Sequence, residues 1–383
     1  MLRRIVIENI NSIAACEIDF AKGNFRFAEE NILGDVVNPI VIYGHNGSGK
    51  SSLMNAISHF ISLMSAPAEA LSPFTVNNFL FEDYHQGRKK DIAKITSSIL
   101  FGFDIEGVGY EYSLKTNRLG SISEESLTKD GEIYFSRKDL DYVYRKDKKT
   151  IPASSKLVPL LRLLASSEIS DGTIQLCFAY LASFAHVNVS FINRGAFVNS
   201  RVFTNTNTVD LLVEKSDQVK EILKTYEDFP VYSVIKSNRI APNGLIAQQY
   251  DIVLEDGEFK RSLPIALAST GMLNQSTLLS LLLSMPKQGV MFIDEADAAL
   301  HPKALESFLR VIREKQIQVV LTLHNTYALQ LLRPDQVYFA KWTKGFSRFA
   351  RLSKIYPNIR EINNMEKMYL SCVFDGALDA ESE

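Results

Sequence analysis

The eight residues Gly44-His45-Asn46-Gly47-Ser48-Gly49-Lys50-Ser51 fit the phosphate-loop spacing G-x-x-x-x-G-K-[ST]. Glycines in such a loop let successive backbone N–H groups turn inward around phosphate oxygens, and a helix starting at its end adds the positive end of a dipole. Asn46, Gly47, Ser48, Gly49, Lys50, Ser51 and Ser52 are therefore the candidate phosphate cradle. Lys50 would reach the β and γ phosphates, and the Ser51 hydroxyl would complete a Mg2+ shell. Far along the chain, Val290-Met291-Phe292-Ile293 is an apolar run ending in two acids, Asp294 and Glu295, the arrangement called Walker B. Carboxylates at the C-terminal end of a buried strand sit where α/β sheets place ligands, so Asp294 suits Mg2+ and Glu295 suits polarising an attacking water. A strand ending in a solvated acidic turn is the competing reading, and the phosphate loop upstream weighs against it. His324 ends a further apolar run, Gln318 to Leu323, where an imidazole could hydrogen-bond a γ-phosphate. A lone histidine is more often structural, but its position one strand after Walker B reverses that preference. The second acid, and the lack of an N-K-x-D motif, favour ATP over GTP.

The elements that must hold these groups are legible nearby. Leu2 to Ile7 and Pro39 to Tyr43 read as strands, and Ser51 to Met64 places Leu53, Ile57, Phe60, Ile61 and Met64 at helical spacing. Strand, loop and helix are the context that a phosphate loop requires. From Ile95 to Phe135 alternating apolar residues separated by Glu106-Gly107, Asn117 to Gly120 and Asp130-Gly131 predict an antiparallel meander. Arg137 to Lys149 carries both signs of charge and reads as a solvated linker. Lys156 to about Phe229 reads as mainly helical. Strands follow at Val231 to Ile235, Tyr250 to Leu254, Val290 to Ile293 and Gln318 to Leu323, with helices at about Leu273 to Met285 and Lys303 to Arg313. The pattern predicts an α/β fold with a mixed parallel sheet, an antiparallel meander, a helical lobe and no long coiled coil. Three segments are expected: 1–145 with the phosphate loop and meander, 146–230 as the mainly helical lobe, and 231–383 as the second half of the head.

With 42 Lys+Arg against 44 Asp+Glu over 383 residues, the formal net charge of -2 argues against nucleic-acid binding by bulk charge. No apolar stretch approaches the roughly 18 residues of a membrane span, and Glu8, Asn9 and Asn11 interrupt any signal sequence, so a cytoplasmic location without membrane contact is expected. Cys16, Cys177 and Cys372 lie far apart and fit neither a disulfide framework nor a zinc site.

Together the motifs resemble the ATP-binding cassette (ABC) ATPases of the SMC and RecF-like branch. Ile7-Glu8-Asn9-Ile10-Asn11-Ser12 is similar to the turn that precedes the phosphate loop there. Ser269-Thr270-Gly271-Met272 resembles the ABC signature, and the resemblance implies that Ser269 and Gly271 face the γ-phosphate of ATP held by a second subunit. Met272 departs from the usual glycine or threonine of that motif. Asp297 to Pro302, with its L-H-P ending, and Asn364 to Leu370 are similar to bacterial anti-phage abortive-infection ATPases of the OLD, RloA and AbiLi group, although Cys372 and Asp375 replace that group's small residues. Gln86 is a candidate Q-loop glutamine, with a solvated loop residue the stronger reading.

The resemblance implies an ATPase using ATP and Mg2+, slow or regulated, that pairs as a homodimer through an ATP sandwich. No coiled coil of the SMC kind and no acidic TOPRIM constellation is visible, so any nuclease or toxin effector is expected to be a separate protein. The alternatives are a RecF-like DNA-binding ATPase of repair and, third, a transporter ATPase, against which the L-H-P form and the N-terminal strand count.

Overall fold

A computed structural model describes residues 1–67, 71, 96–117, 120–189, 198–200, 208–225, 230–240, 246–298 and 301–374. The chain opens with β1 (Leu2–Ile10) and β2 (Ile13–Asp19), an antiparallel pair whose turn brings Asn11 to φ 50°. A short pair follows, β3 (Ile32–Leu33) and β4 (Val36–Val37), then β5 (Ile40–Tyr43), buried at every residue. The helix Lys50–Ser65 carries its apolar stripe inward through Leu53, Ile57, Phe60, Ile61 and Met64. Six strands then run as a meander: β6 (Thr96–Ile105), β7 (Val108–Asn117), β8 (Ile122–Lys129), β9 (Glu132–Lys138), β10 (Asp141–Tyr144) and β11 (Asp147–Thr150). Positive φ at Glu106-Gly107, Asp130-Gly131 and Arg145-Lys146 supplies the tight two-residue turns that match strand twist.

Helices Leu160–Ala165 and Gly172–Ala182 lead to β12 (Ala185–Asn188) and β13 (Val198–Ser200), and helices Thr208–Glu214 and Ser216–Lys224 follow. A separate three-stranded sheet is formed by β14 (Val231–Ile240), β15 (Ile246–Asp256) and β16 (Phe259–Pro264). The helix Thr270–Ser284, β17 (Val290–Asp294), the helix Pro302–Lys315 and β18 (Gln318–Thr322) come next. The hairpin β19 (Val337–Thr343) and β20 (Phe346–Arg351) and the helix Met365–Leu370 complete the described chain.

Among the described residues, the main sheet has 15 strands in the order β11-β10-β9-β8-β7-β6-β1-β2-β20-β19-β5-β18-β17-β12-β13. Its centre, β19-β5-β18-β17-β12, is parallel, which requires cover on both faces and explains the near-continuous apolar runs. Alternation along each run divides the core. Ile40, Ile42, Val290 and Phe292 join the cluster under the helix Lys50–Ser65 and the meander. Val41, Tyr43, Met291 and Ile293 join the other, under the helices Thr270–Ser284 and Pro302–Lys315. Buried carboxamides finish the strand ends: Gln318 exchanges two hydrogen bonds with the Leu2 backbone (2.6 and 2.9 Å), and Asn38 bridges Ile317 and Val319. Cys16 and Cys177 are buried and Cys372 is exposed.

The stretch Arg137 to Lys149, expected to be a solvated linker, instead contains the end of β9 and most of the β10–β11 hairpin. Tyr144 turns inward and Val143 outward, a strand alternation that the charge count concealed. β12 lies inside the stretch read as mainly helical, and pairs in parallel with β17. The strands read at Val231 to Ile235 and Tyr250 to Leu254 are longer, reaching Ile240 and spanning Ile246–Asp256. Among the described residues no helix is long and apolar enough to cross a membrane.

Candidate nucleotide site

Because β17 and β5 flank β18 in parallel register, the chain leaves all three strands at one edge of the sheet. The loop Gly44 to Gly49 leaves β5 there, Asp294 and Glu295 end β17, and Thr322 ends β18 two residues before His324. Steric facts define the loop. Gly49 caps the helix at φ 104°, and a Cβ on it would lie 2.0 Å from Ser347 Oγ. Below it, Ser12 bonds Ser347 (2.6 Å) and Ser52 (3.1 Å), so the β1–β2 turn, β20 and the helix start form a hydroxyl floor.

Lys50 is buried and its Nζ donates to the carbonyls of Gly44 (2.7 Å) and His45 (3.2 Å). Burial lowers its pKa below the ordinary lysine range, opposed by the nearby carboxylates of Asp294, Glu295 and Asp297. The Ser48 hydroxyl is buried with no hydrogen-bond partner among the described residues, and His45, Asn46, Gly47 and Ser51 are exposed. A loop with a buried, unpartnered hydroxyl, a lysine at its base and glycines at positive φ suits an anion of phosphate type.

Asp294 is buried, with Thr322 Oγ1 donating to its Oδ1 (2.6 Å) and Asn188 Nδ2 to its Oδ2 (3.2 Å). Glu295 is half-buried at φ 53°, and its backbone N–H donates to Thr322 Oγ1 at 2.7 Å. Ala296 N–H donates to the Thr322 carbonyl (3.1 Å). The next acid faces the other way: Asp297 Oδ2 accepts the His324 amide (2.8 Å) and the Asn325 amide. The His324 residue is exposed. Behind it the Tyr43 hydroxyl donates to the Asn325 carbonyl (3.2 Å), and Glu366 accepts from Thr326 and Gln330, which ties the C-terminal helix to this loop. Tyr369 and Phe374 stack on Phe339, the neighbour of Tyr43.

For Mg2+, the donors at hand are the Ser51 hydroxyl and the Asp294 carboxylate. That set fits an ion that keeps several waters and takes the rest of its shell from substrate phosphates. Among the described residues no group of three or more His, Cys, Asp or Glu is placed to hold a metal ion by itself.

Ser269 and Gly271 lie at the start of the helix Thr270–Ser284, where Ser269 caps by accepting the Met272 amide (3.3 Å). Ser269 is exposed, and among the described residues neither it nor Gly271 hydrogen-bonds to the phosphate loop. Asn274 of the same helix donates to the Ala298 carbonyl (2.9 Å), linking the signature-like turn to the segment after Walker B. His301 caps the helix Pro302–Lys315 with Pro302 in its first turn, which gives the L-H-P ending a local structural reason. Gln86, Ala299, Leu300 and Asp375 lie outside the described residues. The sequence reading did not single out Thr322, Asn188 and Ser347. For Thr322 a signal existed, a hydroxyl closing an apolar run, whereas Asn188 and Ser347 become site residues only through the sheet order.

The protein-family profile described as "AAA domain, putative AbiEii toxin, Type IV TA system" matches residues 40–330. No curated protein matches the chain. An SMC head bound to the C-winged helix domain of ScpA aligns with 91% of this chain and 96% of its own, at 16% identity and a TM-score of 0.51, and shares the fold. An SMC head domain from Thermotoga maritima aligns with 91% of this chain and 98% of its own at 14% identity, with a TM-score of 0.45. The recombination mediator protein RecF aligns with 91% of this chain and 98% of its own at 10% identity, with a TM-score of 0.38.

Proposed function

The chain belongs to this AAA-domain family of P-loop ATPases, and from that premise we propose that it hydrolyses ATP as a nucleotide-gated switch subunit in bacterial anti-phage defence, controlling a separate nuclease or toxin effector. The observation that carries the ATPase reading is the convergence of the Gly44 to Ser51 loop, Asp294, Glu295 and His324 on one edge of the parallel strands. In this reading the loop and Lys50 hold the phosphates, and Ser51 and Asp294 share Mg2+. Glu295 polarises water and His324 contacts the γ-phosphate.

Two copies then sandwich two nucleotides, with the exposed Ser269 and the half-buried Gly271 of one facing Lys50 of the other. ATP biases the paired state only by its differential contacts to the two states, and the γ-phosphate is the group that changes. The tie from Glu366 to the His324 loop supports a path from that phosphate to the C-terminal segment. The family's description, "putative AbiEii toxin, Type IV TA system", supports the defence setting.

A second reading, a RecF-like DNA-binding ATPase of repair, has one observation in its favour. The outer face of β7 to β11 forms an open trench of about 700 Å³ rimmed by Lys115, Lys138, Lys148 and Lys149. Glu124 and Asp141 share that rim, and Lys115 is paired with Glu124, so the field there is mixed.

The test is a pair of variants. Lys50→Ala is expected to abolish ATP binding, while Glu295→Gln retains it and accumulates an ATP-bound dimer visible by light scattering. Hydrolysis by Glu295→Gln at the parental rate would remove Glu295 from its role. Tight DNA binding with a steep salt dependence, lost on neutralising Lys138, Lys148 and Lys149, would favour the second reading.

A further inference from the structure

We propose that Thr322 is a positioning residue for hydrolysis, its hydroxyl setting the backbone from which Glu295 projects while it orients the Asp294 carboxylate. The proposal rests on the reading of Glu295 as the group that polarises water. Thr322 is fully buried at the end of β18, the strand between the phosphate-loop strand and the Walker B strand. A hydroxyl has one proton and two lone pairs. An ionised carboxylate can only accept, so the proton is committed to Asp294 Oδ1 at 2.6 Å, and a lone pair takes the Glu295 N–H at 2.7 Å. The order is therefore fixed: Glu295 N–H to Thr322 O–H to Asp294. The Thr322 carbonyl adds a third anchor through Ala296 N–H, so three consecutive residues of the Walker B turn are held by one residue of the next strand.

The held conformation needs holding. Glu295 stands at φ 53°, in the left-handed region that a residue with a Cβ enters at a cost. Releasing its amide lets the backbone relax, and a change in φ swings the carboxylate away from where a water must be polarised. The neighbours Val319, Val320 and Leu321 show what this strand otherwise holds, apolar packing. A hydroxyl at 0% exposure is costly there unless both its bonding capacities are used, as they are. Valine has nearly the shape of threonine and keeps the packing while removing both bonds, and serine keeps both bonds while losing a methyl.

The experiment measures kcat, equilibrium ATP affinity and Tm for the parent, Thr322→Val, Thr322→Ser, Glu295→Gln and the double variant Thr322→Val/Glu295→Gln. Thr322→Val is expected to lose about 30-fold in kcat with ATP affinity within about 3-fold of the parent, and Thr322→Ser to recover most of that rate. The double variant is expected to fall below Glu295→Gln by much less than 30-fold, because the part of Thr322 that acts through Glu295 has nothing left to position and only its bond to Asp294 is still lost. Parental kcat in Thr322→Val while Glu295→Gln is inactive overturns this proposal alone, and so does a double variant whose loss is the product of the two. Parental kcat in Glu295→Gln overturns the reading of Glu295 and the proposal with it. If Thr322→Val fails to fold, Thr322→Cys, similar in size with a weak hydrogen-bonding group, takes its place: an intermediate kcat supports the proposal and a parental one overturns it.

Discussion

Asp297 holds the backbone of His324: its Oδ2 accepts the His324 amide at 2.8 Å and, beside it, the amide of Asn325. Thr322 works in the opposite direction, gripping Asp294 and Glu295. The turn after β17 and the turn after β18 are thus clipped to each other reciprocally.

Removing the Asp297 carboxylate should therefore disturb His324 directly and the phosphate cradle only through the loss of one of three carboxylate charges acting on Lys50. A hydrogen bond from a backbone amide to a charged acceptor contributes roughly 1.5–3 kcal/mol. Asp297→Ala is expected to lower kcat by about 10-fold while ATP affinity, read by equilibrium titration, stays within about 3-fold. An equal loss in affinity would mean that the carboxylate serves the nucleotide directly.

Two glycines of the phosphate loop should respond differently to one added methyl. Gly47, at φ 79°, has nothing within 4 Å of a Cβ, so Gly47→Ala meets only the left-handed backbone penalty of roughly 1–2 kcal/mol. In Gly49, at φ 104°, a Cβ would lie 2.0 Å from Ser347 Oγ and 3.3 Å from Ser12 Oγ. Gly49→Ala is expected to lower Tm further, because the Ser12–Ser347 bond must open. Adding Ser347→Gly should restore part of the difference, leaving the backbone penalty. A double variant no more stable than Gly49→Ala alone would exonerate Ser347.

Acid should weaken the fold in two separate stages. Burial lowers the pKa of His186 to about 4, and its Nε2 has no hydrogen-bond partner among the described residues. Since the unfolded histidine titrates near about 6.5, the unfolded chain takes the proton first. The stability this residue contributes is full above that pH and is lost as pH falls from there through the folded value. Burial alone would raise the Asp171 pKa, but hydrogen bonds from Tyr134, the Ile174 amide, Arg145 and Tyr144 hold its carboxyl well below the usual range. Its contribution is full above the ordinary aspartate value of about 3.9 and fades only below it. Urea midpoints measured from neutral to acid pH should fall first through the His186 window, and His186→Leu should flatten that first limb. Asp171→Asn should flatten the second, and a parental first limb in His186→Leu would assign it to another group.

How much of this was legible in the sequence depended on whether the chemistry was contiguous. Gly44 to Ser51 and Val290 to Glu295 are runs in which loop and strand are written side by side, and the structure sets them at one sheet edge. The helix expected from about Leu273 begins earlier, at Thr270, because the Ser269 side chain caps it. What escaped was whatever sheet order creates. Asn188 meets Asp294 because β12 lies beside β17, and Ser347 underlies Gly49 because β20 pairs with β2. The β10–β11 hairpin escaped for another reason, since its outward charges outnumber the inward Tyr144.

The three cysteines make the protein its own reporter. Burial pushes the Cys16 thiol far up and the Cys177 thiol to about 12, so neither supplies thiolate at neutral pH, whereas Cys372 is exposed. It closes the turn after the helix Met365–Leu370, the helix whose Glu366 grips the loop that carries His324. A thiol-reactive fluorophore should therefore label the sequence at one position, and a change in its emission on adding ATP would test the proposed path from the phosphate loop to the C-terminal segment.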